Sequence, residues 1–135
     1  MPHTRPVIAI APDSFKGALS AAEAAAAMAA GFRRGWPGVR CRLIPMADGG
    51  EGTVDAWAAA TGAARVTARV RDPLGRPISA TYARDARRRL AVIEMAAASG
   101  LPLLARHERD PRRTSTLGTG DLIRHALDGG ARTLL

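Results

Sequence analysis

The stretch Val7-Ile8-Ala9-Ile10-Ala11-Pro12-Asp13-Ser14-Phe15-Lys16-Gly17 decides the fold. Its first five residues are a short continuous apolar run, the pattern of a strand covered on both faces in a parallel sheet. Beyond the loop, Ser20 and Glu23 have the spacing of a capping box, in which the serine accepts an orphan amide and the glutamate reaches back. Ala21, Ala25, Met28 and Phe32 then form an apolar stripe, which predicts a helix to about Arg34, stopped by Gly35 and Pro37. Residues 40–45 read as a second strand. Strand, helix and strand in this order imply a right-handed parallel crossover, so the first third predicts an α/β protein.

Working outward, the loop Asp48-Gly49-Gly50-Glu51-Gly52-Thr53 opens a second helix with Val54, Trp57 and Ala58 on one face, ending at Gly62. The texture then changes. Residues 65–70 and 78–83 alternate around the turn Asp72-Pro73-Leu74-Gly75, and residues 90–95 are nearly all apolar. Hairpin-like spacing predicts antiparallel or mixed strands here, with residues 1–62 forming one domain and 63–135 the start of a second. A short helix, a polar stretch over 106–116, and a helix over 121–127 opened by Gly118-Thr119-Gly120 and ended by Gly129-Gly130 follow. Residues 132–135 look like a strand just beginning, so the chain reads as part of a longer protein.

Of the 135 residues 47% are hydrophobic, but 29 are alanine and only 4% of the chain is aromatic, which predicts a thin core. The net charge of +8 comes from arginines in pairs and triplets without aromatic interleaving, read here as solvated surface rather than a nucleic-acid face. Cys41 stands alone, which excludes a disulfide framework and suits a reducing compartment. No secretion signal and no run of 18 apolar residues is present, so the expectation is a soluble, cytoplasmic protein without membrane contact. His3, His107 and His125 lack metal-ligand spacing.

Lys16 is the sole lysine beside 19 arginines. Where arginine serves every general need for a cation, the remaining ammonium marks a place for a compact point charge, such as one against a phosphate oxygen. Residues 13–17, 48–53 and 114–120 share one composition, a loop of Gly, Ser, Thr and Asp after a strand and before a helix, where backbone amides suit an anion. Asp13 and Asp48 both follow apolar strands, at the end where open α/β sheets bind ligands. If those strands are neighbours, Asp13, Lys16, Asp48 and Glu51 converge on one crevice. Carboxylates, a cation and amides together suit an anion that arrives with Mg²⁺, which are the parts phosphoryl transfer needs. Neither a Walker A sequence nor a protein-kinase glycine loop occurs. Glu94, closing the apolar run, is either a functional strand-end carboxylate or an outward side chain on an edge strand.

Four segments, Ala-Pro-Asp-Ser-Phe-Lys-Gly at 11–17, Ala-Asp-Gly-Gly-Glu-Gly-Thr at 47–53, Val-Ile-Glu-Met-Ala-Ala-Ala-Ser-Gly-Leu at 92–101 and Thr-Ser-Thr-Leu-Gly-Thr-Gly-Asp-Leu-Ile at 114–123, closely resemble the bacterial glycerate kinase family. The resemblance implies ATP-dependent phosphorylation of D-glycerate to a phosphoglycerate. It also implies a Rossmann-like parallel-sheet domain interrupted by a second, mixed α/β domain, in a family whose members continue past residue 135. By position it points to Asp13, Ser14, Lys16 and Gly17; to Asp48, Gly49, Gly50, Glu51, Gly52 and Thr53; to Glu94; and to Ser115, Gly118, Thr119 and Gly120. From the chemistry, Lys16 would neutralise the phosphoryl group, Asp48 or Glu51 would hold Mg²⁺, and Asp13 would polarise the acceptor hydroxyl. Catalytic roles therefore fall to Asp13, Lys16, Asp48 and Glu51, with ATP and Mg²⁺ as cofactors, D-glycerate as partner, and neither nucleic acid nor membrane. Two other readings stand beside this one, a basic nucleic-acid-binding module and a non-catalytic remnant of the kinase fold. Residues 1–135 alone are expected to show little turnover.

Overall fold

The structure, a computed structural model, describes residues 6–15 and 17–135. They form two compact units, one ending at Asp48 and the other running from Gly49 to Leu135.

The first unit is β1 (Val7–Ile10), α1 (Ala21–Gly35) and β2 (Arg40–Leu43). The strands pair in parallel, Val7 opposite Arg40 and Ile10 opposite Leu43. Backbone pairing continues past the strand ends, with Ile44 N–H donating to the Ile10 carbonyl (2.8 Å) and Met46 N–H to that of Pro12 (2.9 Å). The capping box forms as the sequence predicts: Ser20 Oγ accepts the Glu23 N–H at 3.2 Å and the Glu23 carboxylate accepts the Ser20 N–H at 2.8 Å. The buried face of α1 differs from the predicted stripe. Ala24, Ala25 and Ala29 are buried, the last two against Ile10 with Ile8 and Cys41 behind them, while Met28 and Phe32 are 40% and 45% exposed. A methyl lets the helix lie close to the two strands, and the larger side chains at its margin stay outside that contact. The stabilisation is correspondingly small, since each buried methylene is worth about 0.8 kcal/mol and alanine has little to bury.

The second unit contains α2 (Thr53–Thr61), β3 (Ala64–Arg71), β4 (Pro77–Asp85), β5 (Leu90–Val92), α3 (Ala96–Ser99), α4 (Leu117–Asp128) and β6 (Thr133–Leu134). Its sheet has the order β3-β4-β5-β6, antiparallel except for the parallel β5–β6 pair, so it is mixed, as the hairpin spacing and the incoming last strand predict. Strand periodicity sorts the side chains onto two faces. Ala68, Val70, Ala80, Tyr82 and Ala91 meet Ala98 of α3 and Leu122 and Ala126 of α4. Ala83 and Val92 point the other way, against Val54 and Ala58 of α2. The compact units therefore divide ahead of α2, whereas the change of sequence texture falls at 62/63. Periodicity marks where strands begin, but a helix belongs with the sheet that takes its apolar face.

Two further elements differ from the sequence reading. β5 ends at Val92, short of residue 95, and Ile93 N–H turns to the Leu135 carbonyl at 2.8 Å. α4 begins at Leu117, so Gly118, Thr119 and Gly120 form its first turn rather than a loop before it. The Thr116 carbonyl accepts the N–H groups of Thr119 (3.0 Å) and Gly120 (3.3 Å). Among the described residues no helix is long and apolar enough to cross a membrane.

Candidate functional site

Direction in the second sheet decides where its loops gather. β3 and β5 both oppose β4, so they run the same way. α4 begins beside Arg71, the last residue of β3, and ends where Arg89 Nε donates to the Gly130 carbonyl at 3.3 Å. α2 begins at Glu94, just past β5, because the Glu94 carboxylate accepts the Val54 N–H at 2.7 Å. Both helices thus present their N-termini toward the C-terminal ends of β3 and β5, the edge where α/β sheets take ligands.

Hydrogen bonds join three of the four motifs at this edge. Glu94 links the third to Val54, the residue directly after the second; it is half-buried, and an acceptor at a helix N-terminus is favoured by the dipole as well as by the bond. Ser99 Oγ and Thr119 Oγ1, 2.7 Å apart, link the third to the fourth. Within the second motif, Gly49 and Gly52 adopt φ of +94° and +92°, a left-handed conformation that favours glycine. The Gly50 carbonyl accepts both Thr53 Oγ1 (2.8 Å) and Thr53 N–H (3.3 Å), and Glu51 is exposed. Ser115 is anchored through its N–H to the Pro73 carbonyl at 2.9 Å. A Cβ on Gly118 would lie 1.8 Å from the Arg71 carbonyl oxygen, so this glycine serves close packing of α4 on β3. Gly120 has open space where its Cβ would be.

In the first unit, Pro12 and Met46 are the last paired residues, so Asp13 and Asp48 follow neighbouring parallel strands at the same end. Both are exposed. Asp13 Oδ1 accepts the Ser14 N–H at 2.7 Å. Gly17, at φ +77°, lies in a turn closed by Phe15 N–H to the Leu19 carbonyl (2.9 Å), and Ser14 directly precedes that turn. This loop does not itself open a helix, because α1 starts later, at its own Ser20 cap. Lys16 lies outside the described residues.

The free amides that the loop composition suggests are partly used internally. Those of Thr53 and Val54 go to Gly50 and Glu94, and those of Thr119 and Gly120 go to Thr116. Sequence reasoning missed Ser99, which lay inside a recognised motif without a distinguishing signal, and Asp72, which it read only as a turn former. Among the described residues no group of three or more His, Cys, Asp or Glu side chains could hold a metal ion. Asp48 and Glu51 are both exposed, Asp48 closing the first unit and Glu51 lying in the second.

A mixed sheet with helices on both faces and glycine-rich segments at the strand ends defines an α/β protein. Comparison with known proteins gives the family. Residues 8–135 match the glycerate kinase family, and this chain belongs to it. It is 51% identical over 128 residues to a glycerate kinase of Bacillus subtilis (strain 168), covering 95% of this chain and 34% of that protein. It is 48% identical to a glycerate 2-kinase of Escherichia coli (strain K12), with the same coverage. A crystal structure from Salmonella typhimurium LT2, assigned as a glycerate kinase 2, superposes with a TM-score of 0.79 at 48% identity, over 97% of this chain and 35% of that one. The chain therefore spans about a third of the length of the curated relatives it matches.

Proposed function

We propose that this chain is the N-terminal third of a cytoplasmic glycerate kinase that transfers the terminal phosphoryl group of ATP to D-glycerate. What supports the reading is the gathering of the second, third and fourth motifs at one strand-end edge through the Glu94 and Ser99 contacts, in a chain that belongs to the glycerate kinase family. Lys16 neutralises charge on the phosphoryl group as a compact ammonium. Asp13 polarises the acceptor hydroxyl. Asp48 and Glu51 hold Mg²⁺, which when bound offsets the phosphate charge. Ser14, Gly17, the loop at 49–53, Ser115 and the first turn of α4 contact substrate and phosphates, and Glu94 acts by holding the start of α2 in place. Small molecules are favoured over nucleic acid as partners, because the arginine pairs and triplets occur without aromatic interleaving and charge alone is weak evidence of such a partner.

The test is turnover of MgATP and D-glycerate by the complete protein that contains residues 1–135, beside the 135-residue chain alone. The complete protein is expected to be active and the short chain nearly inactive. Lys16→Arg should lower kcat by roughly 10²–10³, the scale seen when one preorganised charge-stabilising group is lost, with no change in Tm. Near-normal turnover of that variant would remove the role given to Lys16.

A further inference from the structure

The turn between β3 and β4 carries more polar contacts than joining two strands requires. Asp72 is the one charged side chain buried among the described residues, at 2% exposure. Its carboxylate accepts the Leu74 N–H (2.9 Å), the Arg76 N–H (2.8 Å) and the Arg76 Nε. Arg76 continues outward to Glu108 (2.8 Å) and the Leu103 carbonyl (3.3 Å). On the other side of the turn, Arg71 donates Nε and Nη2 to the two oxygens of Asp121, each at 2.8 Å. The Arg71 carbonyl occupies the space a Cβ on Gly118 would fill, and the Pro73 carbonyl accepts the Ser115 N–H. The strand register, complete from Ala64 opposite Arg84 to Arg71 opposite Pro77, needs none of these bonds.

We propose that the turn at 71–76 is a positioning element for residues 115–121, with Arg71 and Asp72 as its positioning residues, holding that segment in one conformation for a phosphate-bearing ligand. The proposal rests on the kinase reading above. Burial alone would favour the neutral form of Asp72, but its bonds to the Arg76 side chain and to the Arg76 and Leu74 amides outweigh that and keep it ionised. A charged, fully bonded carboxylate leaves the turn one arrangement. That arrangement passes to Ser115 through Pro73, and to Gly118 and Asp121 through Arg71. A bidentate guanidinium sets orientation as well as distance, which an ammonium at the same place does not.

The experiment introduces Arg71→Gln and Asp72→Asn separately into the complete protein that contains residues 1–135, with Arg71→Lys as the conservative control. The KM for MgATP is expected to rise about tenfold, the loss matching one charge-assisted hydrogen bond to a ligand, with kcat within twofold and partial recovery in Arg71→Lys. A purely structural role would instead shrink the active fraction, lowering kcat with both KM values unchanged, and that result overturns the proposal. If the wild-type protein phosphorylates no glycerate, the kinase reading fails on its own. The positioning claim is then decided by amide hydrogen exchange on the same proteins. Exchange at Ser115 and Thr119 about tenfold faster in the variants, with β4 amides unchanged, supports it; equal exchange overturns it.

Discussion

Both units leave some large apolar side chains exposed, but they differ in what they bury. The first buries Ile10, Ala24, Ala25, Ala29 and Val39, while Val7, Phe15, Met28, Phe32, Trp36 and Ile44 are exposed. The second closes a mixed sheet between helices and buries Tyr82 and Leu122 almost completely, with alanine and valine filling the space between. Two parallel strands and one helix cover only one side of each strand, whereas a four-stranded sheet with a helix on each face has an interior. Alanine is useful in both, but for different reasons. In α1 it permits close approach with little area buried; in the second unit it packs beside larger groups that bury more.

The contrast is open to direct attack, most sharply in the cores. Leu122→Ala should destabilise the second unit by about 2–5 kcal/mol, as large-to-small changes at fully buried sites do. Met28→Ala in the first unit should cost less than about 1 kcal/mol, because that side chain is already 40% exposed. Equal losses in denaturant titrations of the two variants would erase the distinction.

Acid comes next. Bonds from Arg71 hold the Asp121 carboxyl below its usual range, and those from the Ala105 amide and Arg76 do the same for Glu108. For Asp72 the opposing effect of burial is outweighed, and the net direction is the same. A carboxylate with a lowered folded-state pKa stabilises the protein above its unfolded value and loses that contribution as pH falls through the folded one. These groups should therefore leave the second unit's stability flat from neutral pH to about 5 and erode it below about 4, where free carboxylates titrate. Asp72→Asn should make the acid limb of a Tm-versus-pH curve shallower; an unaltered limb would show that Asp72 contributes nothing there.

The smallest effect belongs to the helix start. Ser20→Ala removes one half of the capping box and should cost about 1 kcal/mol, with the exchange of amides in the first turn of α1 rising while β4 stays protected. Loss of protection in both units together would mean that they unfold as one.

Much of the fold was legible because its signals are local. The capping box, the end of α2 at Gly62, the alternation of β3 and β4 and the stop at Gly129 each depend on residues within a few positions of one another. The segments that form the candidate site were legible as well, by their glycine, threonine and aspartate content. Their connections were not. Glu94 reads equally as a ligand or an edge-strand side chain until its bond to Val54, 40 residues away, is seen. Gly118 reads as an anion-binding glycine, and only the fold adds its packing role, the Arg71 carbonyl lying where its Cβ would go.

Sequence alone determined the order of the main helices and strands and that the chain is α/β, and it marked the segments proposed to carry chemistry, because backbone propensity, capping and side-chain periodicity act over a few residues. Tertiary structure alone decided that α2 joins the second sheet, which face of α1 is buried, and that Asp72 is the buried charge around which a turn is organised. Those outcomes depend on which surfaces meet, and burial is a property of the meeting rather than of either strand of residues taken separately.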